Sequence, residues 1–422
     1  MILRVLYHGG SAPHLVGRLG DDPRTGQNFF EYDAAWLKTG RELSPFHLPH
    51  SLGTLPSSHD QPAFENLHGL FWDTLPDHWG RLVWERYVTA AGLDPAGISP
   101  LGRLAYAGSR AVGALGYEPE APMGSDDERL AEAIHLAALD QNAARLAAEQ
   151  SSTPSELLSL LQAGASAGGA KPKALLYFDD STNAPFLLPG KERSAWVVKF
   201  SSVPHTHKDS REEGRVEYAY ALMALAAGIR MPESRLLEIN TPKGKRALFA
   251  VRRFDRPVDG ARLHLHTVAG LRHIHHQAPG FSYEIIADTL LRVTGDRREL
   301  RELARRAAFN ILAGNRDDHA KNFSLLMDSS GQWSQSPAYD ITPSPGPGRQ
   351  GIHVASVNGS ATPTKQDFLS FGKRAELDDA EEIFEKARDA VVNWPSFAKQ
   401  AGLRDANIKK IARFHNSKAV RF

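Results

Sequence analysis

An α+β fold is the class this sequence predicts, with a β-rich N-terminal segment, a mixed middle and a mostly helical C-terminal part. Three observations carry that expectation. Short alternating or aromatic runs dominate the first 120 or so residues. An Ala-, Leu- and Glu-rich stretch from Asp126 to Gln150 marks a change of character. From Leu265 onward helical patterning prevails, broken by polar loops.

Taken in order, Leu3-Arg4-Val5-Leu6-Tyr7 alternates as a strand does, and Phe29-Phe30-Glu31-Tyr32 is a second, aromatic strand. Ser51 to Pro62, rich in Ser, Pro, Gly and His, reads as a loop. Trp79 to Ala91 is expected to be helical, and Gly102 to Gly116 to form turns and short strands. Leu130, Ile134, Leu136 and Leu139 stand at roughly helical spacing after Pro119 and Pro122, which places a domain boundary there. Thr153-Pro154-Ser155-Glu156 opens the next helix. Thr is a good cap, Pro suits the first helical position, and Glu can return a capping bond. That helix should end near Gly164. Strands follow at Ala174–Phe178, Ala195–Phe200, Leu236–Ile239 and Ala247–Val251, with a helix from Val216 to Ala227 stopped by Gly228. The expected division is 1–122, 123–258 and 259–422.

A chain of 422 residues has room for two or three domains. Its formal net charge of +1 supplies no global field toward nucleic acid or membrane. With no cysteine, disulfides, thiol nucleophiles and Cys-ligated metals are excluded. The apolar start is too short and too soon interrupted for a signal peptide, and no run of about 18 apolar residues exists to span a membrane. The cytoplasm is the expected location.

The most informative run is Asn315-Arg316-Asp317-Asp318-His319-Ala320-Lys321-Asn322, followed by Ser336-Pro337-Ala338-Tyr339-Asp340. Protein kinases place a base Asp five residues before a metal-binding Asn, then a second metal-binding Asp further on. Asp317, Asn322 and Asp340 keep that order and spacing. Asp317 is then the candidate base, and Asn322 and Asp340 offer the hard oxygen ligands that Mg²⁺ takes. Lys321, grouped with the base as catalytic, would touch a phosphate. His319 is expected to brace the loop beside the nucleotide. Asp318 carries less weight.

Lys199 ends an apolar strand, and the helix carrying Glu217 follows at a distance suited to a Lys–Glu pair that holds α/β-phosphates. Arg211, Glu212, Glu213 and Arg215 read as a solvated charge cluster. Residues 164–173, with Ser166, Gly168, Gly169 and Lys173, form a Gly-rich loop whose N–H groups can approach phosphates. It is not a Walker A loop, and by itself it reads as a linker. Arg252 and Phe254 sit in a segment that either meets adenine or forms a surface ion-pair cluster. The histidines from His264 to His276 lack metalloprotease spacing. The basic tail from Lys399 to Arg421 reads as a solvated helix face.

Collectively the chain resembles the HipA-family serine/threonine kinases, the toxin half of a bacterial toxin–antitoxin pair. The resemblance rests on Ser166 to Lys173, Trp196-Val197-Val198-Lys199, Glu217-Tyr218, Arg253-Phe254-Asp255-Arg256, Asn315 to Asn322 and Ser336 to Asp340. N-terminally it rests on Phe30-Glu31-Tyr32, Leu43-Ser44, Leu75 to Arg81 and Gly113-Ala114-Leu115. It implies a two-lobed protein-kinase-like fold binding ATP and Mg²⁺. It also implies autophosphorylation at Ser166 as an off-switch, and a protein substrate in translation such as an aminoacyl-tRNA synthetase. The implied partner is a small helix-turn-helix antitoxin through which the chain meets DNA indirectly. Arg252 stands where the family often has an acidic residue.

Two other readings are open at this stage. One is a metal-dependent phosphohydrolase or nuclease with Asp317, Asp318, His319 and Asp340 as ligands. The other is a non-catalytic pseudokinase held in a repressor complex.

Overall fold

The computed structural model describes residues 1–57, 62–76, 78–121, 133–164, 169, 171–200, 212–241, 244–257, 260–275, 278–344, 346 and 351–419. The chain divides into two compact units. The first comprises 1–214, 235–266 and 327–331, and the second 215–234, 267–326 and 332–422. Both mix helix and sheet, so the α+β class holds.

In the first unit, β1 (Ile2–Tyr7), β2 (His14–Asp21), β3 (Asn28–Tyr32), β4 (Thr54–Pro56) and β5 (Leu115–Glu118) form one sheet in the order β4-β3-β2-β1-β5. The alternation in β1 turns Leu3 and Val5 inward, where Val16, Leu19 and Phe30 join them. β4 lies inside the stretch expected to be a loop. Its Leu55 pairs with Phe30, so edge pairing overrides the local Ser and Pro content.

Three further strands in this unit, β6 (Lys173–Asp179), β7 (Pro185–Phe186) and β8 (Arg193–Lys199), join β9 (Ser234–Thr241) and β10 (Gly244–Arg252) in the order β7-β6-β8-β10-β9. A last strand, β11, spans His264–Thr267. The longer described helices are α1 (His78–Ala90), α2 (Pro100–Ala107), α3 (Leu136–Ala147) and α4 (Pro154–Gly164). Trp79, Val83, Trp84 and Val88 line one face of α1 and share a core with Leu157, Leu160 and Leu161 of α4 and with Leu176, Phe178 and Trp196 of the sheet. The capping box of α4 forms as its sequence predicts. The Glu156 N–H donates to Thr153 Oγ1 at 3.3 Å, and the Thr153 N–H donates to the Glu156 carboxylate at 2.9 Å.

Turns and short strands were expected at 102–116, but the segment begins as helix α2. Its start and stop are legible in retrospect: Ser99 caps the Gly102 N–H, Pro100 takes the first position, and Gly108 ends it at φ +50°. In α3 the helix starts at Leu136, and residues 122–132 lie outside the described ones.

Arg253 to Arg256 correct the surface-cluster reading. Arg253 grips Asp255 through two bonds of 2.9 and 2.7 Å, Arg256 adds a third at 2.8 Å, and the Gly113 N–H donates at 2.9 Å. Arg253 and Asp255 are buried. Burial opposes ionisation of Asp255, but the two guanidinium charges and the Gly113 N–H outweigh it and hold the carboxyl well below its ordinary range. Arg262 donates to the carbonyls of Ser109, Ala111, Gly113 and Leu115, which ties the approach to β5 down on this buried charge cluster.

Helices dominate the second unit: α5 (Glu213–Ala226), which the chain enters from the first unit, α6 (Tyr283–Thr294), α7 (Arg298–Ala313), α8 (Lys365–Arg374), α9 (Ala380–Val392), α10 (Trp394–Gln400) and α11 (Asp405–Ala419). Strands β12 (Ser324–Met327) and β13 (Trp333–Gln335) pair beside them. The second half of α7 is nearly all buried, from Arg306 to Ala313. Tyr220 packs edge-on against Phe309, Trp394 and His415. The expected solvated cluster at 211–215 is only partly so: Glu212 is buried, Arg215 donates to the Ala401 carbonyl at 2.8 Å, and Arg211 lies outside the described residues. No described helix is long and apolar enough to cross a membrane.

Candidate active site

Helix α7 stops at Gly314, whose φ of +69° suits a residue without a Cβ. The following loop carries Asn315 to Asn322. Asn315 is buried and donates from Nδ2 to Asn310 Oδ1 at 3.1 Å, which anchors the loop on the last turns of α7. Asp317 is the exposed member, with 60% of its side chain accessible. Asn322 donates its amide nitrogen to the Asp317 main-chain carbonyl at 2.7 Å. A carbonyl accepts only, so the amide orientation is decided and Oδ1 is the atom of Asn322 left to act as a ligand. His319 Nε2 lies 3.9 Å from Asp317 Oδ1.

The second loop follows β13. Arg306, fully buried on α7 beside Glu302 at 3.1 Å, donates to the Ser336 carbonyl at 2.5 Å. The Ala338 N–H donates to the Arg230 carbonyl at 2.8 Å, and the Arg230 N–H donates to Glu302 at 3.0 Å. Segment 336–338 is thereby held from α7 and from the residues after α5. Tyr339 donates its hydroxyl to the Lys321 carbonyl at 2.6 Å and lies 2.5 Å from Ser324 Oγ. Asp340 comes next in the left-handed region, at φ +54°. Asp is one of the few residues that visits this region readily.

Asp318 is not a spare ligand. It is almost fully buried and accepts four hydrogen bonds: from the Tyr283 hydroxyl at 3.2 Å, His353 Nδ1 at 2.9 Å, and the N–H groups of Val354 at 3.0 Å and Ala355 at 3.1 Å. Burial, and then the Asp318 charge, push the Tyr283 hydroxyl well above its ordinary value, so it stays a donor. The carboxylate pins segment 353–355 to the loop carrying Asp317. Among the described residues no three His, Asp or Glu side chains are gathered to hold a metal ion.

The first unit holds Lys199, Lys173, Gly169, Arg252 and Phe254. Lys199 ends β8, directly opposite Lys173 at the start of β6. Direct antiparallel partners project to the same face, so two buried lysines stand side by side. The Lys199 ammonium lies 5.8 Å from the Phe249 ring centroid. Gly169 accepts from the Trp79 N–H at 3.3 Å, while Ser166 and Gly168 lie outside the described residues. Arg252 closes β10 opposite Trp196, with Phe254 two residues on; both are half-buried. Glu217 is buried on α5, in the second unit.

Two of the grouped histidines, His264 and His266, serve the fold, and His276 lies outside the described residues. His264 Nε2 donates to the Leu43 carbonyl at 3.0 Å, and burial followed by the neighbouring His266 pushes its pKa down to about 3. His266 bonds Asp73 at 2.6 Å and Ser44 at 3.1 Å.

Sequence reasoning missed Tyr339 as a tie, the Arg230–Glu302–Arg306 support and the partners of Asp318. Tyr339 alone carried a signal, as the neighbour of Asp340. Tyr283 and His353 lie 35 residues either side of Asp318, and nothing local marks them.

Chemically, the second unit offers an exposed carboxylate, an amide oxygen and a second carboxylate on two loops tied by Tyr339. All are hard oxygen donors, a set that fits Mg²⁺.

Comparison with known proteins agrees with this architecture. The model of the HipA N-terminal domain matches residues 3–118, and that of the HipA-like C-terminal domain matches residues 165–395. A curated relative, "Putative kinase Y4dM" of Sinorhizobium fredii (strain NBRC 101917 / NGR234), is 27% identical over 244 residues, 54% of this chain and 57% of that protein. The matched region is thus little more than half the relative's length. The HipA toxin–antitoxin structure of Shewanella oneidensis MR-1, solved with HipB and operator DNA, aligns over 99% of this chain and 95% of that one, with a TM-score of 0.66 at 16% identity. That likeness is one of fold. With the C-terminal domain model alone matching more than half of its length, the chain belongs to the HipA family.

Proposed function

We propose that this protein is an ATP-dependent protein serine/threonine kinase acting as the toxin of a toxin–antitoxin module. The observation that carries the reading is the bond from Asn322 to the Asp317 carbonyl, together with the Tyr339 tie that brings Asp340 to the same loop. Phosphoryl transfer asks for positioning and charge rather than covalent chemistry. Asp317, exposed at the loop tip, accepts the proton of an attacking Ser or Thr hydroxyl. Asn322 Oδ1 and the Asp340 carboxylate would hold Mg²⁺, which when bound neutralises phosphate charge. Lys199 and Lys173 concentrate positive charge for the phosphates, and Lys321 contributes a further ammonium. Glu217, Gly168, Gly169, Arg252, Phe254 and His319 complete the proposed nucleotide contacts.

The family supplies the finer proposals: autophosphorylation of Ser166 as an off-switch, a translation component such as an aminoacyl-tRNA synthetase as target, and a cytoplasmic location. A small helix-turn-helix antitoxin is the proposed partner, supported by the HipB present in the Shewanella complex. The phosphohydrolase reading is disfavoured because the Asp318 oxygens are already taken by four donors. Incubation with γ-labelled ATP and Mg²⁺ tests the proposal. Label should move onto protein, on Ser166 among other sites. Release of free phosphate alone would reject it.

A further inference from the structure

Trp79 touches the Gly-rich segment at two points. Its main-chain N–H, in the first turn of α1, donates to the Gly169 carbonyl at 3.3 Å, and its indole Nε1–H donates to the Lys173 carbonyl at 3.0 Å. The first N–H groups of a helix have no partner within it, and Gly169 supplies one. The indole is buried within an apolar cluster, where its N–H needs an acceptor, and Lys173 supplies that. One residue of α1 therefore brackets the chain from 169 to 173. The Lys173 carbonyl it holds belongs to the residue that faces Lys199 across the strands. Phe200 adds a third tether, donating to the Pro172 carbonyl at 2.9 Å.

We propose that Trp79 is a positioning residue for the phosphate-binding segment. It holds the Gly169 and Lys173 carbonyls so that Lys173 keeps its register beside Lys199. Nucleotide affinity is thereby coupled to a helix far away in the sequence. The proposal rests on the kinase reading for its functional part only.

The test uses the full chain. Trp79→Phe keeps a buried ring, keeps the main-chain bond and removes the indole N–H. Val83→Ala, one turn along α1, removes packing from the same core without touching a polar contact and serves as the control. Hydrogen exchange without nucleotide should show faster exchange confined to 169–176 in Trp79→Phe. Binding of a non-hydrolysable ATP analogue with Mg²⁺ should weaken about 3- to 10-fold, the effect of one hydrogen bond, with turnover at saturating ATP nearly unchanged. Val83→Ala should lower thermal stability and leave nucleotide affinity as in the wild type. Wild-type exchange at 169–176 in Trp79→Phe, or equal loss of affinity in Val83→Ala, would overturn the proposal. Should the wild type bind no nucleotide, the kinase reading fails, while the exchange comparison still decides whether Trp79 anchors the segment.

Discussion

The Tyr339 hydroxyl gives its proton to the main-chain carbonyl of Lys321, 2.6 Å away. A hydroxyl has one proton, so Ser324 Oγ, at 2.5 Å, must donate in return. This junction joins the loop of Asp317 and Asn322 to the loop of Asp340. Tyr339→Phe should therefore slow phosphoryl transfer about 3- to 10-fold, the worth of one bond, and cost about 1–3 kcal/mol of stability, because buried Ser324 loses its partner. Steady-state rates beside thermal unfolding of the same variant check this. An unchanged rate would mean the loops hold their places without the tie.

Asp317→Ala should lose at least about 10²-fold in rate, the lower end for a missing general base. The exposed side chain costs little to remove, and Asn322 bonds the main-chain carbonyl, so the loop should survive. Nucleotide binding by calorimetry should match the wild type. Near-normal phosphorylation would remove Asp317 from the base role.

Asp340→Asn keeps the shape, and Asn accepts the left-handed backbone at this position. One negative ligand is lost. The Mg²⁺ concentration for half-maximal activity should rise about tenfold or more, since charge count sets cation affinity. A magnesium titration with superimposable wild-type and variant curves would exclude Asp340 as a ligand.

Asp318→Asn turns an NH₂ toward groups that are all donors. The expected cost is about 2–4 kcal/mol in denaturant unfolding, as for a buried charged acceptor left mismatched. A metal ligand without structural duty would instead leave stability of the metal-free protein unchanged.

Acid should destabilise the fold. Burial, the leading cause in each case, pushes His68 and His415 down to about 4, while burial and then His266 push His264 to about 3. The unfolded chain protonates these rings near pH 6.5 and the folded one resists. Their neutral-state stability is thus complete above about pH 6.5 and is lost as pH falls toward 4, then 3. The slope is up to about 1.4 kcal/mol per pH unit for each ring. Urea midpoints from pH 7.5 to 4.5 measure it. His264→Gln, which donates without titrating, should flatten the curve.

The local rules were legible where one residue type decides the outcome. Thr153 and Glu156 specify their capping box, Gly228 and Gly314 terminate helices at positive φ, and the alternation in β1 sets its buried face. The proximity of Asp317 and Asn322 was legible for a similar reason: they share one loop, and five-residue spacing suffices for a side chain to reach back to a carbonyl. Helix α2 was misread although Ser99, Pro100 and Gly108 mark it locally, and two other misreadings came where distant partners decide. β4 exists because Phe30 pairs with Leu55, and Asp255 is buried because Gly113 and two arginines enclose its charge.

By itself, then, the sequence determined the α+β class, the capping box that opens α4 and the glycine stops after α5 and α7. These depend on neighbours within a few residues, whose geometry the backbone nearly dictates. Tertiary structure decided that Asp318 is a structural acceptor, that Tyr339 joins two loops, and that Trp79 brackets 169–173. Each depends on donors brought together from 15 to 94 residues away, a convergence that no local pattern encodes.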